Sequence, residues 1–268
     1  MARVITITSG KGGVGKTTTT ANLGTALAMH GSRVAAIDAD IGLRNLDVVM
    51  GLENRIVYDL VDVVEGRARL RQALIKDKRL PELYLLPAAQ TRDKDAVTAA
   101  DMINLTNEMR SEFDFILIDC PAGIETGFRN AIAGADEVLI VTTPEVSAVR
   151  DADRVVGLVE AAEKGPARLI INRLNQRLVS RGEMLSMDEV VEILAVDPLG
   201  VVPEDELIVS TTNRGEAAVF NPSSHAGRAY INIARRLNGE NIPIMDLTEQ
   251  TNLMDRLFGG LFGRRART

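Results

Sequence analysis

Gly10-Lys11-Gly12-Gly13-Val14-Gly15-Lys16-Thr17 follows directly on a β-rich apolar run, Arg3 to Thr8, and opens a segment of helical composition, Thr17 to His30. It fits the G-x-x-x-x-G-K-[S/T] pattern of a phosphate-binding loop in the strand-loop-helix setting that pattern requires. By composition alone such a match arises on the order of once in a hundred chains of this length, so a plain glycine turn capping a helix is the poorer reading. Glycines let the backbone curl until successive N–H groups face a phosphate, and the helix N-terminus adds a favourable potential for an anion. Gly10, Lys11, Gly12, Gly13, Val14, Gly15, Lys16, Thr17 and Thr18 are therefore candidate nucleotide contacts. Lys16 is expected to bridge the β- and γ-phosphates, and the Thr17 hydroxyl to ligate Mg²⁺.

Further short apolar runs recur at Arg33–Asp38, Leu83–Leu86, Phe113–Asp119, Glu137–Val141, Ala167–Asn172 and Leu199–Val202. Most are too uninterrupted for strands with one wet face. Helical composition fills Asp95–Glu112, Val146–Glu163, Met187–Ala195 and Ala226–Leu237 between and after them. Strands buried on both faces and alternating with helices give an α/β fold of the P-loop NTPase type, a mostly parallel sheet with helices on both faces. No linker interrupts the first 240 residues, so residues 1–240 are expected to form one domain, residues 241–252 a tether and residues 253–268 an amphipathic tail.

With 268 residues, 46% hydrophobic and 25% charged, the composition excludes collagen, disorder and a disulfide scaffold. No run approaches the roughly 18 apolar residues of a membrane span, and the apolar opening is too short for a signal peptide, which predicts a cytosolic protein. One cysteine, Cys120, and two histidines, His30 and His225, offer little to zinc or haem. A net charge of −6 argues against a general nucleic-acid coat.

Carboxylates close two further strands. Ala35-Ala-Ile-Asp38-Ala-Asp40 puts two acids on one side of an extended backbone, beyond a strand end where ligands of parallel sheets bind. One division of labour has Asp40 orienting the attacking water and Asp38 supporting the metal shell. Phe113-Asp-Phe-Ile-Leu-Ile-Asp119 is an apolar strand ending in an acid, the form of a Walker B motif, with Asp119 placed to hold Mg²⁺; Pro121 and Gly123 follow it in a loop able to rearrange. Cys120, beside that strand end, is read as an inert thiol.

The spacing K-G-G-V-G-K-T-T resembles the deviant Walker A of the MinD/ParA class of P-loop ATPases. That resemblance implies ATP as the nucleotide, and it implies that Lys11 reaches across a dimer interface to the partner's nucleotide, so that a homodimer forms when ATP is bound. Asn172, at the end of Leu169-Ile-Ile-Asn172, is similar to the family's adenine-reading asparagine, whose amide both donates and accepts. The absence of an N-K-x-D guanine motif agrees with adenine, and a single cysteine excludes the related nitrogenase iron protein. Ala39–Asp47, Asp119–Glu125, Pro144–Asp151, Leu185–Val190 and Gly200–Asp205 extend the resemblance, over nearly the whole chain, to the septum-site-determining members of the class. It implies an ATPase on the inner face of the cell membrane that recruits a MinC-like division inhibitor and is released when a MinE-like or other spatial regulator stimulates hydrolysis. Asn45, Glu125, Ser147 and Asp151 are then expected at or near the dimer and partner surfaces. A flagellar-number ATPase of the same group and a DNA-partitioning ATPase are the alternatives.

Leu253, Met254, Leu257, Phe258, Leu261 and Phe262 recur at spacings of three and four, on about half of a helical circumference. From Leu253 onward Arg256, Arg264, Arg265 and Arg267 stand against one acid, Asp255, a net +3 that leaves −9 for the rest of the chain. A short, glycine-interrupted helix of this kind suits the surface of an anionic bilayer. One copy is expected to bind marginally, and two copies on a dimer to gain roughly 10²-fold or more from bivalency.

Overall fold

A computed structural model describes residues 2–245 and residue 247, with the side chain of Lys94 excepted. Its strands are β1 (Arg3–Thr8), β2 (Val34–Asp38), β3 (Ile75–Lys76), β4 (Leu83–Leu86), β5 (Phe115–Asp119), β6 (Glu137–Thr142), β7 (Ala167–Leu174) and β8 (Pro198–Pro203). They form one sheet in the order β3-β4-β2-β5-β1-β6-β7-β8. Every pairing is parallel except β3 with β4, where two residues close the edge antiparallel. The mostly parallel sheet thus agrees with the expectation; β3, too short to show a period, gave no signal in the sequence.

The central strands are apolar on both sides because both sides are covered. On one face Val4, Ile116, Ile118, Val138, Ile140 and Ile171 pack together; on the other, Ile5, Ile7, Leu117, Leu139, Val141 and Ile170. Successive residues alternate between the two layers, as the twofold period of a strand dictates. The second face is covered by α1 (Lys16–Met29) and α11 (His225–Leu237), and the first by α5 (Ala99–Met109), α6 (Thr126–Ala133), α7 (Val146–Ala161) and α9 (Met187–Leu194). Shorter helices, α2 (Leu46–Met50), α3 (Leu60–Val64), α4 (Leu70–Ala73), α8 (Gln176–Ser180) and α10 (Glu206–Thr212), occupy connections.

Where expected boundaries moved, local chemistry accounts for it. The helix expected from Asp95 starts at Ala99, because Thr98 caps it: its hydroxyl accepts the Asp101 N–H at 3.2 Å, and its own N–H donates to Asp101 at 2.9 Å. Residues 94–96 make only a 3₁₀ turn before it. α9 stops at Leu194, with Ala195 left-handed at φ 51°. Residues expected to start a tether are docked: Arg236 donates to the Ile242 and Pro243 carbonyls at 2.8 and 2.6 Å, and Leu247 is buried. Asp246 and residues 248–268, which hold the rest of that segment and the candidate membrane positions Leu253, Met254, Leu257, Phe258, Leu261 and Phe262, lie outside the described residues. Among the described residues no helix is long and apolar enough to cross a membrane.

Candidate functional site

All parallel strands deliver their C-terminal ends to one side of the molecule, and the candidate site residues read from the sequence within residues 1–240 lie there. The loop leaving β1 curls through Gly13 and Gly15, at φ 78° and 102°, before α1 begins. Gly15 is required twice over: an added Cβ would lie 2.3 Å from the Asn172 amide nitrogen, and its backbone is left-handed. Gly10 is required by packing, since a Cβ there would lie 2.1 Å from the Asp151 carbonyl oxygen.

The two lysines of the loop have different surroundings. Lys16 is only 8% exposed, and its ammonium donates to the Ser9 hydroxyl at 3.0 Å, while Ser9 donates to the Lys11 carbonyl at 2.8 Å. A buried ammonium held by one neutral hydroxyl is poised for an anion. The Lys11 side chain is 45% exposed at the rim, 3.3 Å from the Ser147 hydroxyl and 3.8 Å from a Glu145 carboxylate oxygen, beside the start of α7.

Asp38 and Asp119 are register partners on β2 and β5, both essentially buried. The Asp38 oxygens accept three backbone N–H groups, from Asp40 at 3.0 Å and from Asn45 and Leu46 at 3.1 Å, so this acid fixes the loop that follows it. Burial raises its pKa, with the Asp40 charge adding to the rise. Asp119 is raised by burial and then by the charge of Asp38, against the pull of the Thr17 hydroxyl and Lys16. Thr20, one helical turn beyond Lys16, donates to the Lys16 carbonyl at 3.0 Å and to Asp119 at 3.3 Å. Two buried carboxylates beside a threonine hydroxyl form a hard-oxygen set suited to Mg²⁺. Among the described residues no cluster of three or more His, Cys, Asp or Glu could hold a metal alone, so phosphate oxygens and water would have to complete the shell. The residues present fit Mg²⁺ together with a nucleotide. Burial pushes the neighbouring Cys120 thiol up to about 12, which leaves it unreactive.

Beside the loop lies a cavity of about 880 Å³, with Gly15, Thr18, Asn172, Asp205, Tyr230 and Leu247 in its wall. A register shift in β7 between Ile171 and Leu174, with Arg173 at φ 58°, brings Asn172 to the loop. Its amide donates to the Val14 carbonyl at 2.8 Å and accepts the Arg173 N–H at 3.0 Å, leaving a second hydrogen and lone pair for a ligand. Asp40 sits half-exposed just past β2; Asn45, Glu125 and Ser147 are exposed on loops and helix starts at the same end, and Asp151 packs on Gly10.

Ser9, Thr20, Tyr230 and Leu247 were missed from sequence. Thr20 could have been found by helical spacing from Lys16, and Ser9 by its adjacency to the loop; Tyr230 and Leu247 come from more than 200 residues away with no motif around them.

The sequence profile of the CobQ/CobB/MinD/ParA nucleotide binding domain matches residues 5–219. The chain is 55% identical to the septum site-determining protein MinD of Bacillus subtilis over 268 residues, covering 99% of this chain and all of that one. The chain belongs to the MinD family of septum site-determining proteins. Within that family, the MinD of a MinC:MinD cell division complex from Aquifex aeolicus superposes with a TM-score of 0.85 at 51% identity, over 91% of this chain and 99% of its own. A MinD from Pyrococcus horikoshii complexed with Mg-ADP superposes with a TM-score of 0.81 at 33% identity, over 89% and 96% of the two chains. The family is a nucleotide-binding ATPase family, and the doubly covered sheet with its phosphate loop is the family fold.

Proposed function

We propose that this protein is a nucleotide-gated clamp that places the division septum: it binds Mg-ATP, pairs with a second copy, holds the membrane through two C-terminal tails and carries a MinC-like inhibitor there until hydrolysis releases it. The observation that carries the reading is the contrast between the two lysines. Lys16 is buried inside the phosphate cradle, whereas Lys11 stands exposed at its rim, where a second copy can approach. Exposed apolar side chains support such an approach. Leu43 and Val48 follow β2, Ile124 follows β5, Val146 follows β6 and Val209 follows β8, so the topology puts all of them at the nucleotide end.

In this mechanism Lys16 and the loop N–H groups hold the phosphates, and Thr17 and Asp119, with Asp38 in support, would hold Mg²⁺, which would supply positive charge beside the phosphates. Asp38 keeps the loop after β2 in place, Asp40 orients the attacking water, and Asn172 faces the adenine. Lys11 crosses to the nucleotide of the other copy. Turnover is slow until the membrane and a MinE-like or other regulator act on the dimer, and the protein alternates between cytoplasm and the inner membrane face. The complex of a relative with MinC supports the inhibitor as partner, and the Mg-ADP relative supports the cofactor.

Lys11→Ala tests the clamp. It is expected to bind ATP within about threefold of the native chain yet to lose the ATP-dependent dimer in sedimentation velocity, together with the ATP-dependent part of co-sedimentation with anionic vesicles. A variant that still dimerises with ATP overturns the clamp, and equal vesicle binding with ATP and ADP overturns the membrane step.

A further inference from the structure

The segment that follows α11 leads from the far end of the sheet to the nucleotide cavity. Arg236 donates to Leu199, at the start of β8, at 2.8 Å, and to Ile242 and Pro243 at 2.8 and 2.6 Å, which pins the segment beside that strand's beginning. Ile244 and Met245 are partly buried against the core. Leu247 reaches the cavity wall, where Pro203, the last residue of β8, also lies. Ile242 and Pro243 thus lie beside the start of β8, and Leu247 lies in the cavity wall with the last residue of that strand. Leu247 is 8% exposed and, with Leu174, Pro203, Ile208 and Tyr230, is one of the apolar elements of a cavity whose polar groups include Asn175, Glu204 and Asp205. A flat heteroaromatic ring needs such an apolar surface beside its polar edge contacts.

We infer that Leu247 packs against the nucleotide's base, so that nucleotide occupancy and the seating of the root of the C-terminal segment are one linked equilibrium. The inference rests on the cavity being the base pocket of the nucleotide site proposed above. Linkage is reciprocal, so a ligand that holds Leu247 in place is itself held by the segment.

The test compares two ligands on the full chain, ADP, which carries a base, and inorganic pyrophosphate, which does not. Leu247→Ala is expected to weaken ADP by about fivefold or more in calorimetry and to leave pyrophosphate unchanged, with Leu247→Met restoring most of the loss. In the native chain, ADP should slow amide hydrogen exchange at Ile244, Met245 and Leu247, and pyrophosphate should not. Equal weakening of both ligands, unchanged ADP affinity, or slowing by pyrophosphate as large as that by ADP overturns the inference. Failure of the native chain to bind either ligand would instead overturn the nucleotide site itself, and Lys16→Ala, expected to lose both, separates the two failures.

Discussion

At the N-terminal ends of the strands, Arg3 and Arg168 clasp Glu137, each at 2.7 Å, and Arg110 holds Asp136 through two contacts of 2.6 and 2.8 Å. At the C-terminal ends, Asp38 and Asp119 lie side by side with no arginine between them. Burial pushes all four acids upward, but at the first end the guanidinium contacts win and the pKa values of Asp136 and Glu137 fall below their ordinary values. At the second end those of Asp38 and Asp119 rise above theirs. One fold thus pairs its acids with guanidinium groups at one end and, at the end where the proposed nucleotide and cation would enter, gives them hydrogen bonds but no arginine. The aromatic residues follow the same division: Arg33 stacks over Tyr84 and Phe113 at the closed end, 5.3 and 5.4 Å from the ring centroids.

The contrast breaks most visibly at Asp119. Asp119→Asn keeps an acceptor for Thr20 but removes a charge, so steady-state ATP turnover should fall by about 10²-fold or more. Without nucleotide the same variant should melt higher at neutral pH, because burial and the charge of Asp38 hold the Asp119 pKa well above its ordinary value and an amide there carries no such cost. A less stable variant would mean the pair is not strained. At the other end, Glu137→Gln leaves two arginines without their carboxylate. Unfolding in urea should show a loss of about 1–3 kcal/mol, with ADP affinity unchanged. An effect on ADP there would show that the two ends are not independent.

The smallest effect is the pH profile. Acids with raised pKa contribute stability that is complete below their ordinary value of 3.8 and is lost as pH rises through the raised values, so the nucleotide end destabilises the free protein toward neutral and alkaline pH. Asp136 and Glu137, with lowered values, contribute stability that is present above 3.8 and 4.5 and is lost as pH falls through their depressed values. Melting temperature should therefore decline on both sides of a mildly acidic maximum, and Mg-ADP should flatten only the high-pH side. Flattening of the acid side would assign the charges wrongly.

Much of the nucleotide end was legible because each part of it is a local pattern. The phosphate loop is eight consecutive residues, and Asp38 and Asp119 each close a run of apolar residues whose burial on both faces demands a parallel sheet. Helix boundaries were less legible, since Thr98 with Asp101 outweighed the helical composition that begins at Asp95. Short elements such as β3 and α8 are fixed by the neighbours they touch and carry no period of their own.

Sequence alone determined the α/β class, the phosphate-loop pattern between β1 and α1, and the succession of the longer strands and of α1, α5, α7, α9 and α11, because these depend on local conformation and on the twofold and 3.6-fold periods of burial. Tertiary structure decided which distant residues share the site. It paired Asp38 with Asp119 in register, set Asn172 against Val14 through a shift in β7, left Lys11 at the rim while burying Lys16, and placed Leu247 in the cavity wall. Those outcomes depend on which strand lies beside which, and no local pattern of residues encodes that.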